Sequence, residues 1–139
     1  MSCMRGILTV LMGLTASNVA AQSPSYPAQQ LLSTTRTVVG EDIRYPSGAQ
    51  PRVKVAIVTI QPGASTAIHR HPTPLVVYVL EGQVTVDYGS HGVKTFKQGE
   101  AMVEAMDVAH RGMNRGTTPV RLLAVYIGSE GVPEVVMER

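Results

Sequence analysis

Tryptophan is absent from the 139 residues, phenylalanine occurs once (Phe96), and aromatic residues amount to 4%. Base-stacking platforms and aromatic shelves for sugars have almost nothing to be built from. Charge of one sign is equally scarce. Lysine plus arginine total 12 against 10 acids, a formal +2, and the sequence pI near 8.9 reflects a thin surplus with no basic patch. Nucleic acid is therefore not an expected partner, and the charge offers nothing to an anionic membrane. Beyond residue 21 no window of eleven residues sustains a 3.6-residue apolar period, and neither repeats nor low-complexity segments occur. With 44% hydrophobic and 16% charged residues, the chain is neither a disordered tail nor a coiled coil. Its length is that of one domain.

The single cysteine, Cys3, lies in an N-terminal stretch with a logic of its own. One positive charge, Arg5, precedes the apolar run Ile7 to Ala16, and Val19-Ala20-Ala21 supplies small residues where a signal peptidase reads them. This three-part layout predicts a signal peptide over residues 1–21, cleavage before Gln22, and a periplasmic or secreted protein. The run is short for a transmembrane helix, and Ser17 and Asn18 interrupt it. Cys3 precedes the run, whereas a lipoprotein cysteine would follow it. The mature chain would thus hold no cysteine, which excludes disulfides, a thiol nucleophile and thiolate metal ligands.

Residues 22–33 read as a flexible lead-in and 34–139 as a single domain of short strands. The expected strands are Thr34–Val39, Val53–Ile60, Leu75–Leu80, Gln83–Tyr88, Val93–Phe96, Ala101–Glu104, His110–Asn114 and Val120–Ile127. Glycine- and proline-containing turns separate them, as at Glu81-Gly82 and Gln98-Gly99. Val53–Ile60 becomes apolar on both faces, which predicts entry into a core. The class is all-β, a sandwich or small barrel.

The chemistry concentrates in two stretches. In a strand His69 and His71 share a face while Arg70 takes the other. A third imidazole from a separate strand, His110, can close a triangle around a metal ion. Alternation puts Arg111 opposite His110, with Gly112 and Asn114 on the histidine's side. His91, inside Gly89-Ser-His-Gly92, reads as an exposed loop residue. Met102, Met106 and Met113 read as core filling, and Tyr78 as a packed residue.

The spacing of these residues resembles the two signature motifs of the cupin superfamily. Gly63, His69, His71 and Gly82 fall in register with Gly-x5-His-x-His-x3–4-Glu-x6-Gly. Gly99, His110 and Asn114 do so with Gly-x5-Pro-x-Gly-x2-His-x3-Asn. The resemblance spans roughly Val53 to Ile127 and implies a double-stranded β-helix, the jelly-roll barrel of that family. It also implies a mononuclear site for one divalent transition metal ion on His69, His71 and His110, with iron first and manganese, nickel, copper or zinc as alternatives. Three positions depart from the motifs. Leu75 stands where the glutamate ligand belongs, and Ala105 and Asp107 replace the proline and glycine of the second motif.

Leu75 has an electrostatic consequence. Three neutral imidazoles leave the +2 of a divalent ion uncompensated, so the site favours an anionic ligand and keeps positions open for substrate and oxygen. Glu104 lies in the apolar run Ala-Met-Val-Glu-Ala-Met, where an unpaired carboxylate would be costly. It either reaches the cavity, as a ligand, a hydrogen-bond acceptor or a general base, or points out at the barrel rim. In the first case it is the candidate catalytic residue, a proton shuttle.

The expected function is that of an exported mononuclear metal-binding cupin, an enzyme of oxygenase type first, acting on a small anionic or enolisable molecule. The alternative is a non-catalytic periplasmic module that binds a small molecule or metal. Cupins commonly dimerise, so a homodimer is expected, with Thr34–Val39 and Val132–Met137 as candidate interface segments. No membrane association is expected once the leader is removed.

Overall fold

The runs of β-branched residues form nine strands, and the computed structural model describes residues 27–138. The expected signal peptide and the first residues of the lead-in lie outside the described residues. In chain order the strands are β1 (Pro51–Ile60), β2 (His69–Arg70), β3 (Leu75–Glu81), β4 (Gln83–Asp87), β5 (Val93–Lys97), β6 (Ala101–Val103), β7 (Arg111–Met113), β8 (Val120–Ser129) and β9 (Val136–Met137). Every pairing is antiparallel. One sheet runs β1-β8-β3-β6, another β5-β4-β7, and β2 pairs with β9. Among the described residues the only helical element is one 3₁₀ turn, Gly89–His91. This is the expected all-β double-stranded β-helix.

Alternation along the strands separates an inside from an outside. Leu75, Val77 and Val79 of β3, Val84 and Val86 of β4, and Val120, Leu122 and Ala124 of β8 are buried together with Ile60 and Met102. Each fully buried valine or leucine contributes roughly 1.5–3 kcal/mol relative to exposure. The turn from β3 to β4 requires glycine: Gly82 has φ +78°, and a Cβ there would sit 3.1 Å from the Pro119 carbonyl oxygen.

Three segments differ from expectation. Thr34–Val39 is not a strand. Its pairing is a single bridge, Arg36 to Asp42, with the Val38 N–H bonded to the Val103 carbonyl. Val53–Ile60 enters the core only at its end. Val53, Val55 and Ile57 are 64%, 61% and 49% exposed: β1 is an edge strand, and among the described residues no second layer covers its outer face. Val132–Met137 supplies β9, which pairs within the chain, His69 to Met137 and Arg70 to Val136. Tyr78 packs only partly, on the outer face of β3.

Asn114, the last residue in register with the second motif, is buried and fully bonded. Its side-chain N–H groups donate to the carbonyls of Ile60 (2.9 Å) and Thr118 (2.7 Å), and its Oδ1 accepts from the Gly116 N–H (2.9 Å). It ties the end of β1 to the loop after β7, which closes the sheets around the cavity.

Candidate metal centre

His69, His71 and His110 converge although they come from β2, the residue beyond it and the residue before β7. The bridge between His69 and His110 fixes their backbones: each N–H donates to the other's carbonyl, at 2.9 and 2.8 Å. His71 is anchored by its own N–H, which donates to the Met106 carbonyl at 3.0 Å. One nitrogen from each ring lies within 4.8 Å of those of the other two, and the ring centroids are 4.7–5.3 Å apart.

Protonation of the rings follows from the backbone around them. Nδ1 of His69 lies 2.8 Å from the Ala67 carbonyl, that of His71 2.8 Å from the Glu134 carbonyl, and that of His110 2.8 Å from the Val108 carbonyl. A carbonyl oxygen only accepts, so each Nδ1 carries the proton and each neutral ring presents an Nε2 lone pair. Burial holds His69 below the ordinary histidine range and pushes His71 down to about 4, favouring the neutral form of both. His110 Nε2 is fully buried with no hydrogen-bond partner. Three neutral imidazole nitrogens, one of them an orphan, form a donor set suited to a divalent transition metal ion.

Glu104 shares this cavity and is buried. Its Oε1 accepts from the Tyr88 hydroxyl at 2.5 Å and from the Ala105 N–H at 3.0 Å. The same oxygen lies 3.9 Å from His110 Nε2. Oε2 takes no part in either of these bonds, and the residue lines the cavity wall. Glu104 stands beside the histidine group without belonging to the set within 4.8 Å. Burial and the adjacent carboxylate raise the Tyr88 phenol above its ordinary range, which keeps it a proton donor in the hydrogen bond.

The turn before His110 lacks the motif's proline and glycine, and a carboxylate from the N-terminal segment holds it instead. Glu41 Oε1 accepts from the N–H groups of Asp107 (2.8 Å) and Val108 (3.0 Å), and Oε2 from that of Met106 (2.8 Å). Three successive backbone donors on one anion form an anion-holding nest.

The remaining candidates fall as follows. Arg111 points outward to Asp87 (3.4 Å), while Gly112 and Asn114 are buried with His110. His91 is exposed. Met102 and Met106 are buried, Met102 on the cavity wall, and Met113 is half-buried. Leu75 also lines the cavity. Sequence reasoning missed Tyr88, Glu41 and the carbonyl of Glu134. A tyrosine ending a strand whose other inward positions are Val84 and Val86 was the one available signal.

The family model described as "Cupin domain" matches residues 56–126, half of the chain, and the chain belongs to this family. No curated protein sequence matches it. Among solved structures, the polyketide cyclase RemF from Streptomyces resistomycificus is similar at 24% identity and a TM-score of 0.55, over 72% of this chain and 69% of that one. An uncharacterised protein with a double-stranded β-helix domain from Klebsiella pneumoniae aligns at 21% identity and a TM-score of 0.54, over 70% and 90%. The oxalate decarboxylase of Lactobacillus farciminis, in a formate complex, aligns at 26% identity and a TM-score of 0.53 over 61% of this chain. The alignment spans only 26% of that enzyme's length.

Proposed function

We propose that this is an exported mononuclear metal-binding cupin acting as an enzyme on a small anionic or enolisable molecule, with oxygenase chemistry as the first reading. The carrying observation is the convergence of three Nδ1-protonated imidazoles, with Glu104 beside them in one cavity. His69, His71 and His110 are the residues that would hold the ion, iron first and manganese, nickel, copper or zinc otherwise. When bound, such an ion supplies Lewis acidity toward a carbonyl or carboxylate oxygen and, for a redox-active metal, electron transfer to dioxygen.

The chain's own groups complete the chemistry. Glu104, on the cavity wall, accepts a proton from an enolisable ligand seated beside His110. Tyr88 donates to Oε1 and holds the carboxylate in that orientation, so its role is positioning. The aliphatic wall excludes water and strengthens every charge interaction inside. The oxalate decarboxylase with bound formate supports a small carboxylate ligand. Export is supported by the leader pattern over residues 1–21. A homodimer is supported by the exposed apolar face of β1.

Metal analysis of mature protein beside His110→Ala tests this reading. One equivalent of a transition metal is expected in the parent and its loss in the variant. Protein that neither retains nor rebinds such an ion overturns it. The alternative, a non-catalytic binding module, is favoured by Glu104 being the only acid among the described residues on the cavity wall. It predicts metal and ligand binding without turnover. As an enzyme, Glu104→Gln loses about 10²- to 10⁴-fold in kcat, the usual weight of a positioned acid–base group, with metal content retained.

A further inference from the structure

The cavity that holds the histidines measures about 250 Å³, small beside the ~300–1,000 Å³ usual for small-molecule sites. Its polar side chains among the described residues are the three imidazoles, Glu104, Thr66 and Tyr126. The rest of the described wall is apolar and mostly aliphatic, built by inward residues of four strands such as Ile60, Val77, Val84, Val86 and Leu122. Among the described residues no lysine or arginine lines it. The nearby cations belong to surface ion pairs: Arg52 (2.7 Å) and Lys54 (3.7 Å) with Glu134, and Arg70 (3.0 Å) with Glu138. Leu75, at the position of the motif's carboxylate, adds apolar surface to this wall.

Charge counting narrows the ligand further. A divalent ion on three neutral imidazoles brings +2, and the Glu104 carboxylate leaves +1. One negative charge on the ligand neutralises the site, and a second would sit in aliphatic surroundings with no cation to pair it, at a cost that burial makes large. We propose that the ligand of this site is a monoanion with one chelating head and an apolar tail: the head at the histidines, the tail against the aliphatic wall. Dicarboxylates and phosphorylated sugars are excluded by the same features. This inference rests on the metal reading above.

A series of straight-chain 2-oxo acids separates head from tail. Mature protein is loaded with Fe²⁺ under anaerobic conditions, its metal content is measured, and it is titrated calorimetrically with pyruvate, 2-oxobutanoate, 2-oxopentanoate and 2-oxoglutarate. The first three share the head and lengthen the tail, so affinity rises about three- to fourfold per methylene, the weight of burying one such group. The decisive pair is 2-oxopentanoate and 2-oxoglutarate, which have the same chain length and differ by a terminal carboxylate in place of a methyl. The former should bind at least about thirtyfold tighter. Protein that takes up no metal overturns the metal reading and this inference with it. Metal-loaded protein with a flat series, or with 2-oxoglutarate equal or better, overturns this inference alone.

Discussion

The three imidazoles look alike from the cavity but are held by different means. His69 and His110 each carry their own orienting acceptor, the carbonyl two residues back in the chain, from Ala67 and Val108. His71 uses the carbonyl of Glu134, sixty-three residues away. Glu134 precedes β9, which pairs with β2 and is further secured by the Glu138 N–H to the Ile68 carbonyl and by Arg70 to Glu138. Two ligands are thus fixed by local chain geometry, whereas the third depends on a C-terminal strap. An imidazole oriented from two residues away keeps its acceptor in any fold that forms the strand, while one oriented from a distant segment loses it whenever that segment lifts.

The largest effect expected to expose this difference is on acid stability of the metal-free protein. His71 has a folded pKa near 4 against an ordinary 6.5, so the unfolded chain binds the extra proton between those values. Stability contributed by the neutral ring is complete above pH 6.5, falls as pH drops toward 4 and is flat below. The integrated loss is about 3 kcal/mol, and His69, shifted the same way, adds to it. Urea midpoints across pH 4–7 measure the slope, and His71→Gln should flatten most of it. An unchanged slope in that variant would place the sensitivity elsewhere.

Removing the strap is next. A chain ending at Gly131 loses the Glu134 carbonyl and β9 but retains the local acceptors of His69 and His110. Metal affinity should fall about 10- to 100-fold, the usual weight of an orienting partner of a ligating histidine, while the secondary structure seen by circular dichroism stays within the change expected for β9. Full affinity in the shortened chain would show that the strap is dispensable for His71.

The smallest effect concerns the support behind His110. Glu41→Ala removes the acceptor of three backbone N–H groups in the turn before it. Because that turn is partly open to water, the expected loss is about 1–2 kcal/mol of stability, read as a lower thermal midpoint. The Gln variant, which retains one acceptor oxygen, should recover part of it.

Much of the fold was legible because its signals are local. Alternation and turn residues located β3, β4, β5 and β8 within a few residues. The edge position of β1 was invisible, since Val53, Val55 and Ile57 have the composition of a buried strand, and they are exposed because no layer among the described residues covers them. Thr34–Val39 has strand composition as well. Its place is instead set by bonds to β6 and to the turn that Glu41 holds.

The sequence alone determined the all-β class, the two motif stretches, the shared side of His110, Gly112 and Asn114, and the charge left uncompensated by Leu75. These follow from period, spacing and residue chemistry, which are properties of the chain before it folds. Only the tertiary structure decided that Glu104 faces the cavity, that Tyr88 holds it, that Glu41 replaces a proline–glycine turn and that Glu134 orients His71. Each of those contacts joins segments sixteen to sixty-seven residues apart, and apart from the identity of a polar residue nothing periodic marks either end. The physical reason is that burial makes an unpaired polar group costly wherever it lies, while which group pairs with it depends on how the sheets close.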